Sequence, residues 1–174
     1  MPALRLMDGP QIMGIVNVTP DSFSDGGEFS SHAAAIDQGR RLAADGAHII
    51  DVGGESTRPG AGTVSAEVEI ARVLPVIKAL AKDGIKVSVD TSKPEVMDAA
   101  VDAGACMIND IYALRRPGAL EAAARMDVPV CLMHMQGTPA TMQDAPCYED
   151  LGGEIREFLE SRICLLNTSD AADE

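Results

Sequence analysis

Short apolar segments alternate five times with longer helical segments along this chain, and this alternation restricts the fold more than any other feature. The apolar segments are residues 12–18, "AHIIDVGG", "KVSVD", "CMIND" and "PVCLMH". Strict alternation of this kind predicts parallel strands joined by right-handed helical crossovers. The chain is therefore expected to be an α/β protein, either an open doubly wound sheet or a (β/α)8 barrel of the TIM type.

The helical segments are bounded by residues that commonly begin or end helices. Ser31 and Gly46 bound the first, and Ser65 begins the second. The sequence "SKPE" from Ser92 is typical of a capping box and predicts the start of the third helix. The expected helices are 31–46, 65–82, 92 to just before 104, 117–126 and 151–162.

Polar side chains follow all five apolar segments, at the point where each predicted strand ends. They are Asn17, Asp51, Asp90, Asn109 with Asp110, and His134. An open sheet concentrates binding groups at its switch point, whereas a barrel gathers them from the carboxyl end of nearly every strand. The pattern favours the barrel, of which five β/α units are present.

The charge of the chain excludes two classes of partner. A formal net charge of −13 argues against binding to nucleic acid or to an anionic membrane surface. No apolar run approaches the roughly 18 residues that span a bilayer, and the N-terminus lacks a signal-peptide core. The four cysteines form no C-x-x-C pair, so reduced thiols are expected. These features predict a cytoplasmic protein that acts on small molecules.

Five motifs resemble the dihydropteroate synthase family. They are "MGIVNVTPDSFSDGG", "IIDVGGESTRPGA", "VSVDTSKPEV", "INDI" and "PVCLMHMQGTPATMQ", and the resemblance runs over residues 12–162. It implies a transferase of folate biosynthesis (EC 2.5.1.15 type) that condenses a dihydropterin diphosphate with p-aminobenzoate and releases diphosphate. It also implies a pterin-binding (β/α)8 barrel of which this chain supplies the first five units. The truncated form is expected to be inactive alone, and the full-length protein to be a homodimer.

The resemblance assigns the pterin and diphosphate sites to strand ends and to the second loop. Asn17 resembles the ligand of Mg²⁺, the cofactor that neutralises the diphosphate. Thr57 and Arg58 resemble contacts to the diphosphate. Asp90 and Asn109 resemble the hydrogen-bonding partners of the pterin ring.

Further residues resemble the family's loops and ring contacts. Met133 is expected to pack on the pterin ring. Phe23, Ser24 and Asp25, together with Pro59, resemble the loops that close over p-aminobenzoate, in the pocket where sulfonamides bind. Asp25 is assigned a catalytic role, either in stabilising a pterin cation or in orienting the arylamine.

The chemistry of these residue types agrees with the assignments. A pterin edge offers paired donors that a buried carboxylate such as Asp90 can accept, and the carboxamide of Asn109 can serve both a donor and an acceptor. Magnesium prefers oxygen ligands and retains several waters, so one carboxamide, that of Asn17, can be its sole direct protein ligand.

Other interpretations of single residues remain open at this point. Without the flanking motifs, Asn17 and Asn109 would be turn or cap residues. Asp51 is interpreted as structural, holding the second loop. Lys93 is expected to be solvated, and His134 to be a histidine at the edge of the core.

Two other functions compete with the synthase. A pterin-binding domain that presents methyltetrahydrofolate to a methyl-transfer partner would share the pterin-edge Asp and Asn. It would have no need of the loops "TPDSFSDGG" and "ESTRPGA", which therefore discriminate against it. The third hypothesis is an inactive fragment that at most binds a ligand.

The last segment, "CLLNTSDAADE", differs at one position from one reading frame of a common sequencing adapter. We predict that residues 1–163 form a partial barrel domain and that 164–174 are a non-native tail. An independent genomic read across this junction checks the prediction. Genomic DNA that encodes the tail would refute it.

Overall fold

The structure is a computed structural model that describes residues 10–19, 27–56 and 62–169. Within them, five strands pair in parallel in the order β1-β2-β3-β4-β5. The strands are β1 (Met13–Asn17), β2 (Ile49–Gly53), β3 (Val87–Asp90), β4 (Met107–Asp110) and β5 (Val130–Leu132). The helices are α1 (Gly27–Ala44), α2 (Ala66–Lys82), α3 (Pro94–Asp102), α4 (Ala119–Ala124) and α5 (Leu151–Ser169).

The sequential strand order distinguishes between the two predicted architectures. A doubly wound sheet reverses its strand order at the switch point and carries helices on both faces. Here each strand pairs with the next in the sequence, and each helix packs against the following helix on one face of the sheet. This arrangement confirms the barrel-type fold, with five of its β/α units present.

The core lies between the sheet and the helices. Val16, Val52, Val89 and Ile108 occupy one register row across four strands and are fully buried. Because strand side chains alternate between faces, this row points towards the helices. Helix α2 packs against the sheet with its buried aliphatic residues, which are Val73, Val76, Ile77 and Leu80. Burial of each such side chain contributes about 1.5–3 kcal/mol.

The opposite face of the sheet corresponds to the inside of a barrel. Ile15, Asp51, Ser88 and Met107 form a row on this face. Asp51 and Ser88 are buried, but Ile15 is 59% exposed. The inner face is therefore covered over β2 and β3 and open to water at β1.

Two helix starts test the predicted caps. The Ser65 cap is confirmed, since its Oγ accepts a hydrogen bond from the Val68 N–H at 3.4 Å. The capping box from Ser92 is wrong, because the cap of α3 is Lys93, in an extended conformation and without a side-chain capping bond. Pro94 explains the difference: proline keeps the preceding residue out of the helical region and is itself favoured at the first helical position.

Other boundaries also differ from the prediction. Helix α1 begins at Gly27, so Ser31 lies inside the helix. Helix α4 is shorter than predicted at both ends. Helix α5 continues beyond Arg162 to Ser169, without a break at the predicted start of the tail. The division of the chain at residue 163 stays a prediction.

The loop after β4 has an unusual backbone. Ala113 and Leu114 are left-handed, with φ of 51° and 58°, which costs a non-glycine residue roughly 1–2 kcal/mol. The Asp110 carboxylate accepts hydrogen bonds from the N–H groups of Tyr112 and Leu114, both at 2.8 Å. From α5, Arg162 donates to the carbonyl oxygens of Ala113 and Leu114, both at 2.7 Å. These four hydrogen bonds hold the loop in its strained conformation.

We expect Arg162→Ala to lower the free energy of unfolding by about 2–4 kcal/mol, because two hydrogen bonds from a charged donor are lost. Urea unfolding followed by circular dichroism measures the change. The matched control is Arg156→Ala, an exposed arginine on the same helix, whose expected effect is within about 0.5 kcal/mol. Equal unfolding midpoints for Arg162→Ala and the parent chain would contradict the assigned role.

Candidate functional site

One register row joins the carboxyl ends of all five strands of the described sheet. It consists of Asn17, Gly53, Asp90, Asn109 and Cys131. Residues in register point to the same face, and this row alternates with the buried valine row, so it lies on the inner face. The three predicted strand-end residues Asn17, Asp90 and Asn109 are thus brought together at one mouth.

Gly53 leaves a gap in this row. A Cβ atom at Gly53 would lie 3.4 Å from Asp90 Oδ2 and 3.6 Å from Asn17 Oδ1. The two side-chain oxygens therefore border the same point above the strand. Because glycine adds no side chain there, a ligand can approach the sheet between Asn17 and Asp90.

Asp51 lies in the next inner-facing row, with Ile15 and Ser88, and is hydrogen-bonded to a residue of the mouth. Its Oδ2 accepts a hydrogen bond from Asn109 Nδ2 at 3.0 Å. Burial raises the pKa of the Asp51 carboxyl, and the polar side chains of Ser88 and Asn109 offset part of that rise. The sequence predicts that Asp51 holds the second loop, whereas its observed hydrogen bond joins it to Asn109 on β4.

The Asp90 carboxyl is strongly perturbed. Burial and, to a smaller extent, the nearby carboxylates of Asp51, Glu69, Asp110 and Glu55 together raise its pKa to about 7. A carboxyl group with such a pKa exchanges its proton near neutral pH. It can therefore either accept hydrogen bonds from a ligand or donate one.

Lys93 is buried, so the prediction that it is solvated is wrong. Its Nζ donates to Glu55 Oε2 at 2.6 Å and to Glu69 Oε2. Burial opposes the charged form, but the two glutamates outweigh it, and the pKa of Lys93 is raised. Glu55 Oε1 also accepts the Val64 N–H at 3.1 Å. This Lys–Glu–Glu cluster thus connects the start of α3 to the loop after β2 and to α2.

The sequence contained one signal for this cluster. Glu69 lies four residues before Val73 and seven before Val76, at helical spacing on the buried face of α2. A buried carboxylate requires a charged or hydrogen-bonding partner. The pattern therefore predicts that Glu69 has a charged or hydrogen-bonding partner, although it does not identify Lys93 as that partner.

A cleft of about 120 Å³ opens beside Asp90. The loops after β2, β3, β4 and β5 line it, with Glu55 on one side and Thr138 on another. The loop after β4 supplies Tyr112 and Arg116, whose guanidinium lies 4.6 Å from the Tyr112 ring centroid. The cleft combines an acidic wall with one basic side chain.

The remaining predicted site residues divide into two groups. Met133 directly follows β5 and is half-buried, with its N–H 3.4 Å from the Asp110 carbonyl oxygen. His134 lies beyond the strand end, and its ring packs edge-on against Phe158 at 5.0 Å. The others lie outside the described residues and are Phe23, Ser24, Asp25, Thr57, Arg58 and Pro59.

The described ranges lack two features. No group of three or more His, Cys, Asp or Glu residues there could hold a metal ion. None of the helices in the same ranges is both long enough and apolar enough to cross a membrane.

The fold and the mouth define a barrel-type α/β protein with acid and amide groups at the carboxyl ends of its strands. The family model described as pterin binding enzyme matches residues 13–174. The chain belongs to this family of pterin binding enzymes.

Relatives of known name are similar over most of the chain. A dihydropteroate synthase of Escherichia coli is 52% identical over 166 residues, and one of Synechocystis is 50% identical over 156 residues. These alignments cover 95% and 88% of this chain but only 59% and 54% of the relatives. The chain therefore spans less than two thirds of their length.

Solved structures agree with this similarity. A Xanthomonas albilineans dihydropteroate synthase with 4-aminobenzoic acid superposes with a TM-score of 0.84 at 55% identity, covering 94% of this chain and 58% of that one. A Yersinia pestis dihydropteroate synthase in a sulfonamide complex gives a TM-score of 0.85 at 52% identity, with 92% and 58% covered.

We expect Asp90→Asn to stabilise the chain at pH 8 and to change its stability little near pH 4. Because the pKa of Asp90 is about 7 in the folded chain and about 3.9 in an unfolded chain, the folded state binds more protons between these values. Stability of the parent therefore falls as pH rises through this range, by an amount on the order of 2–4 kcal/mol, and Asn removes that fall.

Urea unfolding of both chains at several pH values measures this difference. It should grow from pH 4 to about pH 7 and then level off. Asp98→Asn is the matched control, since Asp98 is exposed and pairs only loosely with Arg125, at 3.4 Å. A stability difference for Asp90→Asn that does not vary with pH would contradict the raised pKa of Asp90.

Proposed function

We propose that this chain is the N-terminal part of a dihydropteroate synthase, a transferase of folate biosynthesis. Its substrates are a dihydropterin diphosphate and p-aminobenzoate, and its products are dihydropteroate and diphosphate. The observation that carries the proposal is the row of Asn17, Gly53, Asp90 and Asn109 at the barrel mouth. Relatives of that name, about 50% identical, support it.

The pterin ring is assigned to the inner end of the mouth. Asp90 accepts paired donors of the ring edge, and Asn109 adds a further hydrogen bond beside it. Met133 packs on the ring. The high pKa of Asp90 suits this role, because a ligand with paired N–H donors favours the ionised carboxylate and compensates for its burial.

Asn17 is assigned to Mg²⁺. Its carboxamide oxygen borders the gap above Gly53, and the described residues offer no cluster of three carboxylates or imidazoles as an alternative. These residues fit an ion that keeps most of its waters and takes one protein oxygen together with substrate oxygens. When bound, such an ion would neutralise the charge of the diphosphate leaving group.

The p-aminobenzoate pocket is assigned to loops outside the described residues. Phe23, Ser24, Asp25 and Pro59 form the arylamine site in this proposal, with Thr57 and Arg58 on the diphosphate. The relatives solved with 4-aminobenzoic acid and with a sulfonamide drug support the assignment and make sulfonamides candidate inhibitors. We further propose a cytoplasmic enzyme that is a homodimer when full length.

Enzymatic diphosphate release in the presence of p-aminobenzoate and Mg²⁺ tests this proposal. The completed gene product is expected to be active and the 174-residue chain inactive. In the completed protein, Asp90→Asn should raise KM for the pterin substrate about 100-fold, because two charge-assisted hydrogen bonds are weakened. Asp98→Asn, on the exposed face of α3, should leave activity unchanged.

Two results would contradict the proposal. One is a completed protein that releases no diphosphate with p-aminobenzoate but binds methyltetrahydrofolate, which would favour the methyl-transfer function. The other is an Asp90→Asn protein with an unchanged KM for the pterin substrate.

A further inference from the structure

The hydrogen bond between Asn109 and Asp51 crosses an intervening strand. Asn109 is the last but one residue of β4 and Asp51 lies within β2, while β3 runs between them with Ser88 in the same inner row as Asp51. Asn109 Nδ2 reaches Asp51 Oδ2 at 3.0 Å, on the inner side of the sheet. The side-chain amide of Asn109 at the mouth is therefore hydrogen-bonded to the carboxylate of Asp51, which lies deeper in the inner face and on a different strand.

This bond decides which way the Asn109 carboxamide faces. A carboxamide carries a donating NH₂ group and an accepting oxygen on its two branches, and rotation by half a turn exchanges them. An ionised carboxylate only accepts hydrogen bonds. In the observed hydrogen bond the NH₂ group of Asn109 faces Asp51, as an ionised Asp51 requires, and this leaves the carbonyl oxygen for the mouth.

We propose that Asp51 is a positioning residue that holds the Asn109 oxygen towards the mouth, so that Asn109 selects ligands with a hydrogen-bond donor at this point. The identity of the ligand as a pterin rests on the proposed function. The orientation of Asn109 does not.

The cost of Asp51 supports a functional role. Asp51 is 4% exposed, and its Oδ1 has no hydrogen-bond partner among the described residues. Burying a carboxylate that is only half satisfied is unfavourable, and an apolar residue of similar size would be the more stable choice. A carboxylate retained at this depth therefore does something that an apolar side chain cannot do, which here is to accept the Asn109 NH₂ group.

Asp110 provides a contrast from the next position along β4. It is also buried, but its two oxygens accept the N–H groups of Tyr112 and Leu114 in the loop after β4. Asp110 thus stabilises backbone and does not contact Asn109 through a side-chain hydrogen bond. Asp110→Asn is therefore a matched control for the loss of a buried carboxylate.

The first test observes the Asn109 side-chain NH₂ group by NMR in the 174-residue chain at pH 8. Its hydrogen exchange should be at least about 10-fold slower than that of the exposed Asn167 NH₂ group. Asp51→Ala should remove this difference, whereas Asp110→Asn should preserve it. If Asp110→Asn does not fold, the exposed Asp98→Asn serves as the control.

Two results of this experiment overturn the proposal. One is exchange at Asn109 as fast as at Asn167 in the parent chain. The other is an Asp51→Ala chain whose Asn109 NH₂ group remains as protected as in the parent. Neither result depends on whether the chain binds a pterin.

The second test measures selectivity with two probes, 6-hydroxymethylpterin and 6-hydroxymethyllumazine. The lumazine carries a carbonyl where the pterin carries its exocyclic amino group, so it replaces a donor by an acceptor. An oxygen facing an oxygen costs at least the lost hydrogen bond, about 1–2 kcal/mol, so the parent should prefer the pterin roughly 10-fold. The Asn109 amide signal reports binding of either probe.

The decisive variant is Asp51→Asn, which keeps the size of the side chain but can also donate. The Asn109 carboxamide can then turn either way, and the preference for the pterin should fall at least about 3-fold below that of the parent, the remainder being due to Asp90. Asp110→Asn should retain the full preference. A preference unchanged in Asp51→Asn would overturn the proposal. If neither probe binds the 174-residue chain, the two probes are compared in the completed gene product, where a lack of binding would contradict the proposed function; the exchange experiment decides the orientation of Asn109 in either case.

Discussion

The parallel register of the sheet is the constraint on which the rest of the structure depends. It places the last inner-facing residue of each strand in a single row, so that Asn17, Asp90 and Asn109 meet although they lie far apart in the sequence. A shift of one residue in any pairing would turn that strand's polar end towards the helices and its valines towards the mouth. The buried Val16 and Ile108 row therefore fixes the chemistry of the opposite face as firmly as it fixes the core.

Concentrating carboxylates at one mouth creates an electrostatic problem that this chain solves only in part. Lys93 bridges Glu55 and Glu69 and offsets one of their two negative charges, and both glutamates still raise the pKa of Asp90. Asp51 accepts a hydrogen bond from an amide and has no ion pair within the described ranges, and its charge adds to the burial that raises the pKa of Asp90 to about 7. Hydrogen bonds from a ligand with several N–H donors would lower that pKa, so the mouth is better matched to such a ligand than to water.

Strand order and the grouping of Asp90 with Asn109 could be predicted, because both follow from local patterns and one rule of parallel sheets. The burial of Lys93 could not, since it depends on how closely α2 approaches the start of α3, which no local pattern encodes. Glu69 carried a partial signal through its spacing to the apolar residues of α2. The failed cap at Ser92 has a different cause: two start signals competed, and the steric demand of proline outweighed the weaker preference of a serine side chain.

The two hydrogen bonds from Arg162 to the loop after β4 determine the smallest unit that can retain this mouth. Tyr112 and Arg116 border the cleft, and the two left-handed residues between them are held by a guanidinium that comes from the fifth helix. Ending the polypeptide before α5 would remove that guanidinium while leaving the strand-end residues and Thr138 in place. The cleft wall would then lose its shape although its composition was intact, so the boundary of a functional module lies beyond the last residue that touches the ligand.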